Sequence, residues 1–237
     1  MNILSKKQLE ELCQFDGPTV CNAMEIFDVM PRTAGFTLPG MKRRTPDGKP
    51  VIGYAATAKV SAMHPSKDAS EKLMGYYSTV REMAEPTIAV IQDTDAQPIG
   101  SFWGEVQATV HKSLGAVATI TDGGVRDINE VSDLEFHMFS TEVLISHGYI
   151  HVEDFNCTVD ICGLPINPGD LIFVDFYGVV VIPPEIAPKL AEACRKAAAA
   201  EMPMLEPCRK AIAEGTKPTM VEIAAWRKAM DDKRKEL

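Results

Sequence analysis

The sequence predicts an α/β fold: one α/β domain over residues 1–183 and a helical C-terminal extension over 184–237. Three observations carry this. Two compact apolar runs, TIAVIQD (87–93) and AVATITDGG (116–124), flank a helical pattern, FWGEVQATVHKSLG, that stops at Gly115. Strand, helix, strand in that order implies a parallel βαβ unit. The texture then changes to short strand-like runs with turn signals over 136–182, and after PPE the chain becomes alanine-rich.

Each element has its own signal. SKKQLEELCQF opens on a candidate cap, Ser5, with Leu9, Leu12 and Cys13 at helical spacing. GPTVCNAMEIF predicts a second short helix with Pro18 in its first turn. Residues 31–50 are rich in Pro, Gly and Lys/Arg and predict a loop. VIGYAATAKV predicts a strand and 68–84 a helix. Glycines 123 and 124 predict a turn with positive φ, followed by a helix from about Asp127. FHMFSTEV, YIHVEDF, CTVDI and LIFVDFYGVVVIP predict a mostly antiparallel or mixed sheet. The end predicts three helices: IAPKLAEACRKAAAAE, then 203–214, then 218–235.

Composition excludes several classes. The chain has 237 residues, 46% hydrophobic and 24% charged, with a net charge of −9. An acidic balance disfavours nucleic acid as a partner, because phosphate binding needs a basic face. No apolar run approaches a membrane span, and the polar start MNILSKKQLEEL does not look like a secretory signal. Six cysteines without a C-x-x-C pair predict free, mostly buried thiols in a reducing cytoplasm.

The stretch TDGGVRDINE draws attention as a site. Ligands gather at the carboxyl ends of parallel strands, where this segment falls. Asp127 at a helix start has a structural explanation, as a cap. Arg126 has none; its rigid fork suits a carboxylate. Upstream, Gly104 and Glu105 mark another helix start, whose free amides favour an anion. Twenty residues, 106–125, lie between Glu105 and Arg126.

Competing features are weaker. His147 and His151 have helical metal spacing but fall in a predicted turn and strand, so surface or packing roles are expected. His64 and Lys67 sit in a polar loop, and Lys59 and Lys112 lack the apolar setting of a Schiff-base lysine. Asp93 closes an apolar strand as a candidate for the site, with a capping role the expected one, and Gly169, Asp170, Asp175 and Gly178 suit turns and subunit contacts.

With those residues in place, WGEVQATVHKSLGAVATITDGGVRDINE resembles the core of the RraA-like superfamily, in particular its class II 4-hydroxy-4-methyl-2-oxoglutarate / 4-carboxy-4-hydroxy-2-oxoadipate aldolases. The pattern is an acid, twenty residues, Arg-Asp, two residues and an acid: Glu105, Arg126, Asp127, Glu130. Glu105 stands where Asp is more usual. NPGDLIFVDFYGVVVIPPE resembles a second family segment, whereas FHMFSTEVLISHGYIHVEDF departs from the family's wording.

The resemblance implies a compact α/β sandwich assembled as a homotrimer or hexamer, with an acid from the adjacent subunit, for which Glu201 is the candidate. It implies Asp127 as ligand of Mg²⁺ or Mn²⁺, and Arg126 as the residue that holds the pyruvyl group and stabilises its enolate. Gly104, Glu105, Val106 and Gln107 would bind the pyruvyl carboxylate through backbone amides. Glu105 and Glu130 would orient metal waters, one of which takes the substrate hydroxyl proton. Oxaloacetate decarboxylation is implied as a side activity. The same fold also serves as a protein inhibitor of an RNA-degrading endonuclease, a non-catalytic alternative that the negative charge permits.

Overall fold

The computed structural model describes residues 3–45 and 48–237; Met1 and Asn2 of the polar start, and Pro46 and Asp47 of the expected 31–50 loop, lie outside them. Helix α1 (Lys6–Leu12) starts on a reciprocal cap between Ser5 and Gln8, and α2 (Gly17–Met24) on the Asp16 carboxylate with Pro18 in its first turn. After the two-residue β1 (Lys42–Arg43) come β2 (Val51–Ser61), α3 (Ala69–Glu82), β3 (Thr87–Asp93), α4 (Glu105–Ser113), β4 (Ala116–Val125), α5 (Ile128–Asp133) and β5 (His137–Val143). Strands β2 to β5 are parallel, so the βαβ unit expected at 87–125 is the middle of three.

Four antiparallel strands complete the main sheet. These are β1 on β5, β6 (His151–Phe155) on the end of β2, and β9 (Leu171–Val174) with β10 (Val179–Ile182) beyond β2. A separate hairpin, β7 (Val159–Ile161) and β8 (Leu164–Ile166), covers part of one face. The sheet is therefore mixed, as expected, although FHMFSTEV extends its parallel half.

The packing explains the apolar runs. One face of β2–β4 supplies Ala58, Ile91 and Val125 to a core with Trp103, Phe136 and Tyr76. The other face packs Ile88, Val90 and Ile120 against Phe139, Ile161 and Ile166. Strands buried on both sides show no polar alternation. A third cluster joins Leu12 and Val20 of the first two helices to Tyr54, Phe173, Leu190 and Cys194. Leu190 and Cys194 belong to α6 (Ala187–Glu214).

Three local expectations change. Glycines 123 and 124 lie inside β4, and neither has positive φ. Gly124 is required because a side chain there would collide with Leu144, and one at Gly123 would come within 2.9 Å of the Asp93 carboxylate. The left-handed residue is Asp127, at φ 54°. Phe102 and Trp103 precede α4 rather than begin it. The break expected near 203 is absent: α6 runs through Pro203 and Pro207 to Gly215, followed by α7 (Met220–Arg234). A proline removes one helix hydrogen bond, yet the helix continues past both.

Candidate active site

The carboxyl end of β4 and the start of α4 are clipped together. Trp103 bridges Val125 in parallel, and the Arg126 amide donates to the Trp103 carbonyl at 3.0 Å. The Ser101 hydroxyl, buried, lies 2.6 Å from the Trp103 carbonyl oxygen and 2.8 Å from that of Gly124. This fixes Gly104, the residue before α4, beside Arg126 and Asp127.

Asp127 occupies the capping position of α5, yet its side chain makes no capping bond there. Its left-handed backbone turns the carboxylate back, and Oδ2 accepts from the Glu105 amide at 3.0 Å. The cap expected for one helix thus serves another. Oδ1 has no partner among the described residues. The Arg126 Nε approaches Oδ2 at 3.9 Å, a loose ion pair. That same Nε is buried without a hydrogen-bond acceptor. Gly104 makes the approach possible, because a Cβ there would lie 2.5 Å from Asp127 Oδ2 and 3.3 Å from Arg126 Nε.

The first amides of a helix have no intrahelical partner. In α4 the Glu105 amide is taken by Asp127, which leaves those of Val106 and Gln107 for a ligand. Glu105 and Glu130 are exposed, and their carboxylates have no partner among the described residues. The arrangement brings Gly104, Glu105, Arg126 and Asp127 together, with Val106, Gln107 and Glu130 on the first turns of the flanking helices. Glu201 lies on α6, 2.9 Å from Arg234 of α7. No group of three or more His, Cys, Asp or Glu among the described residues forms a metal cage. A hard cation with one carboxylate and several waters needs none.

Several partners gave no sequence signal. Tyr77 donates to the Gln107 Oε1 at 2.7 Å, and the His111 ring bonds the Gln107 carbonyl through Nδ1 at 2.7 Å. A carbonyl only accepts, so Nδ1 carries the proton. His111 sits among Tyr76, Tyr77, Phe102 and Trp103, and burial pushes its pKa down to about 4. Asp93, expected as a capping acid, is buried and accepts from the Asp95 amide, while the Asp93 amide donates to Asp122 Oδ1 at 2.7 Å. Burial raises Asp93 to about 6 and Asp122 to about 7.

The other candidates settle on the surface or into structure. His147 and His151 bond neighbouring carbonyls, Gly148 and Tyr149. Lys112 donates to the Leu134 carbonyl. No helix of the described residues is long and apolar enough to cross a membrane, and all six cysteines are free.

Comparison with known proteins bears on the family and the fold. Protein DlpA of Legionella pneumophila is 28% identical over 83% of this chain, which spans only 31% of DlpA's length. A protein of Halalkalibacterium halodurans named "Putative 4-hydroxy-4-methyl-2-oxoglutarate aldolase" is 29% identical over 66% of this chain and 74% of its own. RraAS2 of Streptomyces coelicolor, described as an unusual member of the RNase ES inhibitor RraA family, shares the fold with a TM-score of 0.67 and 19% identity, over 85% of this chain and 96% of that one. The profile described as RraA-like, Aldolase/RraA, matches residues 18–181, and the chain belongs to that family.

Proposed function

We propose that the protein is a divalent-metal-dependent class II pyruvate aldolase, a carbon–carbon lyase. Its substrates are 4-hydroxy-2-oxo acids such as 4-hydroxy-4-methyl-2-oxoglutarate or 4-carboxy-4-hydroxy-2-oxoadipate, and its products are pyruvate and a second oxo acid. One observation carries the reading: the buried, unpartnered Arg126 Nε beside the free first amides of α4. A buried guanidinium nitrogen without an acceptor is costly unless a ligand supplies one.

The residues divide the work. The amides of Val106 and Gln107 receive the substrate carboxylate at the positive end of α4. The C4 hydroxyl gives its proton to a water held by Glu105, the C3–C4 bond breaks, and the electron pair passes to the C2 oxygen as pyruvate enolate. Arg126 donates to that oxygen as its charge grows. One such preorganised donor is worth about 3 kcal/mol. Enolate C3 then takes a proton and becomes the pyruvate methyl group.

The donor set fits Mg²⁺ or Mn²⁺, with Asp127 Oδ1 as protein ligand and Glu105 and Glu130 orienting waters around it. Bound there, the ion would supply Lewis acidity to the substrate. In the trimer or hexamer expected of such an aldolase, Glu201 is the acid offered to a neighbouring subunit. Within its own chain it is held by Arg234, so that pair opens on assembly. Oxaloacetate decarboxylation is the expected side activity, because it passes through the same enolate. The regulator reading, an inhibitor of an RNA-degrading endonuclease, rests on the net charge of −9 and predicts no pyruvate release.

The test is pyruvate release from a 4-hydroxy-2-oxo acid. A chelator should abolish it, Mg²⁺ or Mn²⁺ should restore it, and borohydride with pyruvate should leave the chain unmodified. Asp127→Asn should retain its bond to the Glu105 amide and the native melting temperature, yet lose metal-dependent turnover. An active Asp127→Asn variant would make Asp127 a cap alone and sink the mechanism.

A further inference from the structure

One imidazole braces both ends of the segment that opens α4. Trp103 and Gln107 bracket residues 104–106. The Trp103 carbonyl takes the Arg126 amide at 3.0 Å, which fixes the first end to the end of β4. The Trp103 ring lies against that of His111, with centroids 4.5 Å apart. At the other end His111 Nδ1 donates to the Gln107 carbonyl at 2.7 Å. Tyr77, edge-on to the same imidazole, donates to Gln107 Oε1, also at 2.7 Å. Gln107, whose amide is one of the two left for a ligand, is thus held by main chain and side chain.

Packing alone does not call for a histidine here. His111 is wholly buried among Tyr76, Tyr77, Phe102 and Trp103. With the proton on Nδ1, Nε2 is an acceptor, and it is buried without a hydrogen bond, as is the neighbouring Trp103 Nε1. Burying such an atom unpaired lowers stability. A phenyl ring would fill the same cage and leave no ring nitrogen unsatisfied. What the imidazole adds is its bond to Gln107.

We propose that His111 is a positioning residue: at a cost in core stability it holds Trp103 and Gln107 at the spacing in which the Val106 and Gln107 amides converge on a carboxylate. The inference rests on the aldolase reading for the identity of that carboxylate, the pyruvyl one. His111 touches no reacting atom and acts through the backbone of Gln107.

Pyruvate with Mg²⁺ is the probe. The Val106 and Gln107 amide resonances, followed by NMR, give its Kd. Exchange of its methyl protons with deuterium gives kcat for enolate formation, and thermal melting gives stability. His111→Phe should melt at or above the parent and bind pyruvate about tenfold more weakly, the usual scale for a lost positioning contact. Its kcat for exchange should stay within about twofold, because a contact made equally before and during the reaction affects binding alone. His111→Asn returns an N–H donor to the side chain but leaves the cage short of a ring. It should melt below the parent and yet bind pyruvate more tightly than His111→Phe. Affinity and stability then rank the two variants in opposite orders, which a packing role does not produce. A His111→Phe variant with native Kd would overturn the inference, and so would one that melts well below the parent. An Asn variant that binds no better than the Phe variant would overturn it too. In each of these cases a parent that exchanges the methyl protons leaves the aldolase reading intact. A parent that neither binds nor exchanges pyruvate ends that reading, and the inference with it.

Discussion

Two segments of this chain look alike in sequence and behave differently in the fold. One is GGVRD, ending in Asp127; the other is NPGDLIFVDFYGV, with Asp170 and Asp175. Both set acids among glycines at strand ends. In the second, Asp175 is used up in holding the fold. Asp175 accepts from the Gly17 amide at 2.6 Å and the Tyr177 amide at 2.8 Å, so each oxygen ties one piece of backbone to the β9–β10 turn. Asp170 Oδ2 accepts from the Asn167 amide at 2.7 Å. In the first, Asp127 spends one oxygen on α4 and keeps the other, and the neighbouring Arg126 Nε has no acceptor at all. A carboxylate with both oxygens bonded to backbone is a structural tie, whereas one that keeps an oxygen free beside a guanidinium Nε without an acceptor is open to a ligand.

Removing Arg126 should break this contrast most severely. Arg126→Ala is expected to lower kcat by about 10²–10³, the cost of one oxyanion donor, while the fold persists. Arg126→Lys should also be poor, since a point charge does not replace a fork. Steady-state kinetics on any pyruvate-yielding substrate decides it; a lysine variant with near-native kcat would remove Arg126 from the reaction.

A smaller loss is expected from Gly104→Ala. The added methyl would meet Asp127 Oδ2 at 2.5 Å, so the carboxylate must move off the Glu105 amide. Gly104 has an extended backbone, so alanine adds no conformational strain and the effect isolates the contact. Turnover should fall with little change in melting temperature. Equal losses in both would mean that the site and the start of α4 are one stability unit.

The structural tie should respond in the opposite sense. Asp175→Ala leaves the Gly17 and Tyr177 amides without their acceptor, at a cost of about 1–3 kcal/mol for the buried Gly17 donor and less for Tyr177, at an exposed turn. Denaturant unfolding should show that loss, and kcat per folded molecule should stay native. A fall in kcat at unchanged stability would place Asp175 in the chemistry instead.

Much of the frame was readable in the residues, because its signals are local. Ser5 with Gln8 caps α1, and the unbroken apolar run of β3 reports burial on both faces. Glu105, Arg126 and Asp127, singled out by their spacing, are brought together because Trp103 pairs with Val125 at the carboxyl end of β4. What was not readable depends on contacts distant in sequence. Gly123 and Gly124 suggest a turn until Asp93 and Leu144 are seen filling the space where side chains would be. Asp127 suggests a cap for its own helix until its left-handed backbone directs it to α4. Pro203 and Pro207 argue locally for a break, yet α6 continues through both.

The mildest test concerns a pair of acids that neither segment uses. Asp93 and Asp122 meet where β3 and β4 end, with the Asp93 amide on Asp122 Oδ1 at 2.7 Å. Burial, reinforced by each acid's negative neighbours, holds both carboxyls in their protonated form to about pH 6 and 7. An unfolded aspartate ionises near pH 3.9. Between those values the folded chain binds more protons than the unfolded one, so stability falls as pH rises toward 7. Asp122→Asn removes the charge and keeps an oxygen for the Asp93 amide. The variant should therefore melt a few degrees above the parent at pH 8, and the gain should vanish near pH 4, where Asp122 is protonated in the folded chain. A gain of equal size at both pH values would trace the effect to packing, and a variant less stable at pH 8 would mean that the ionised Asp122 is held by a cation.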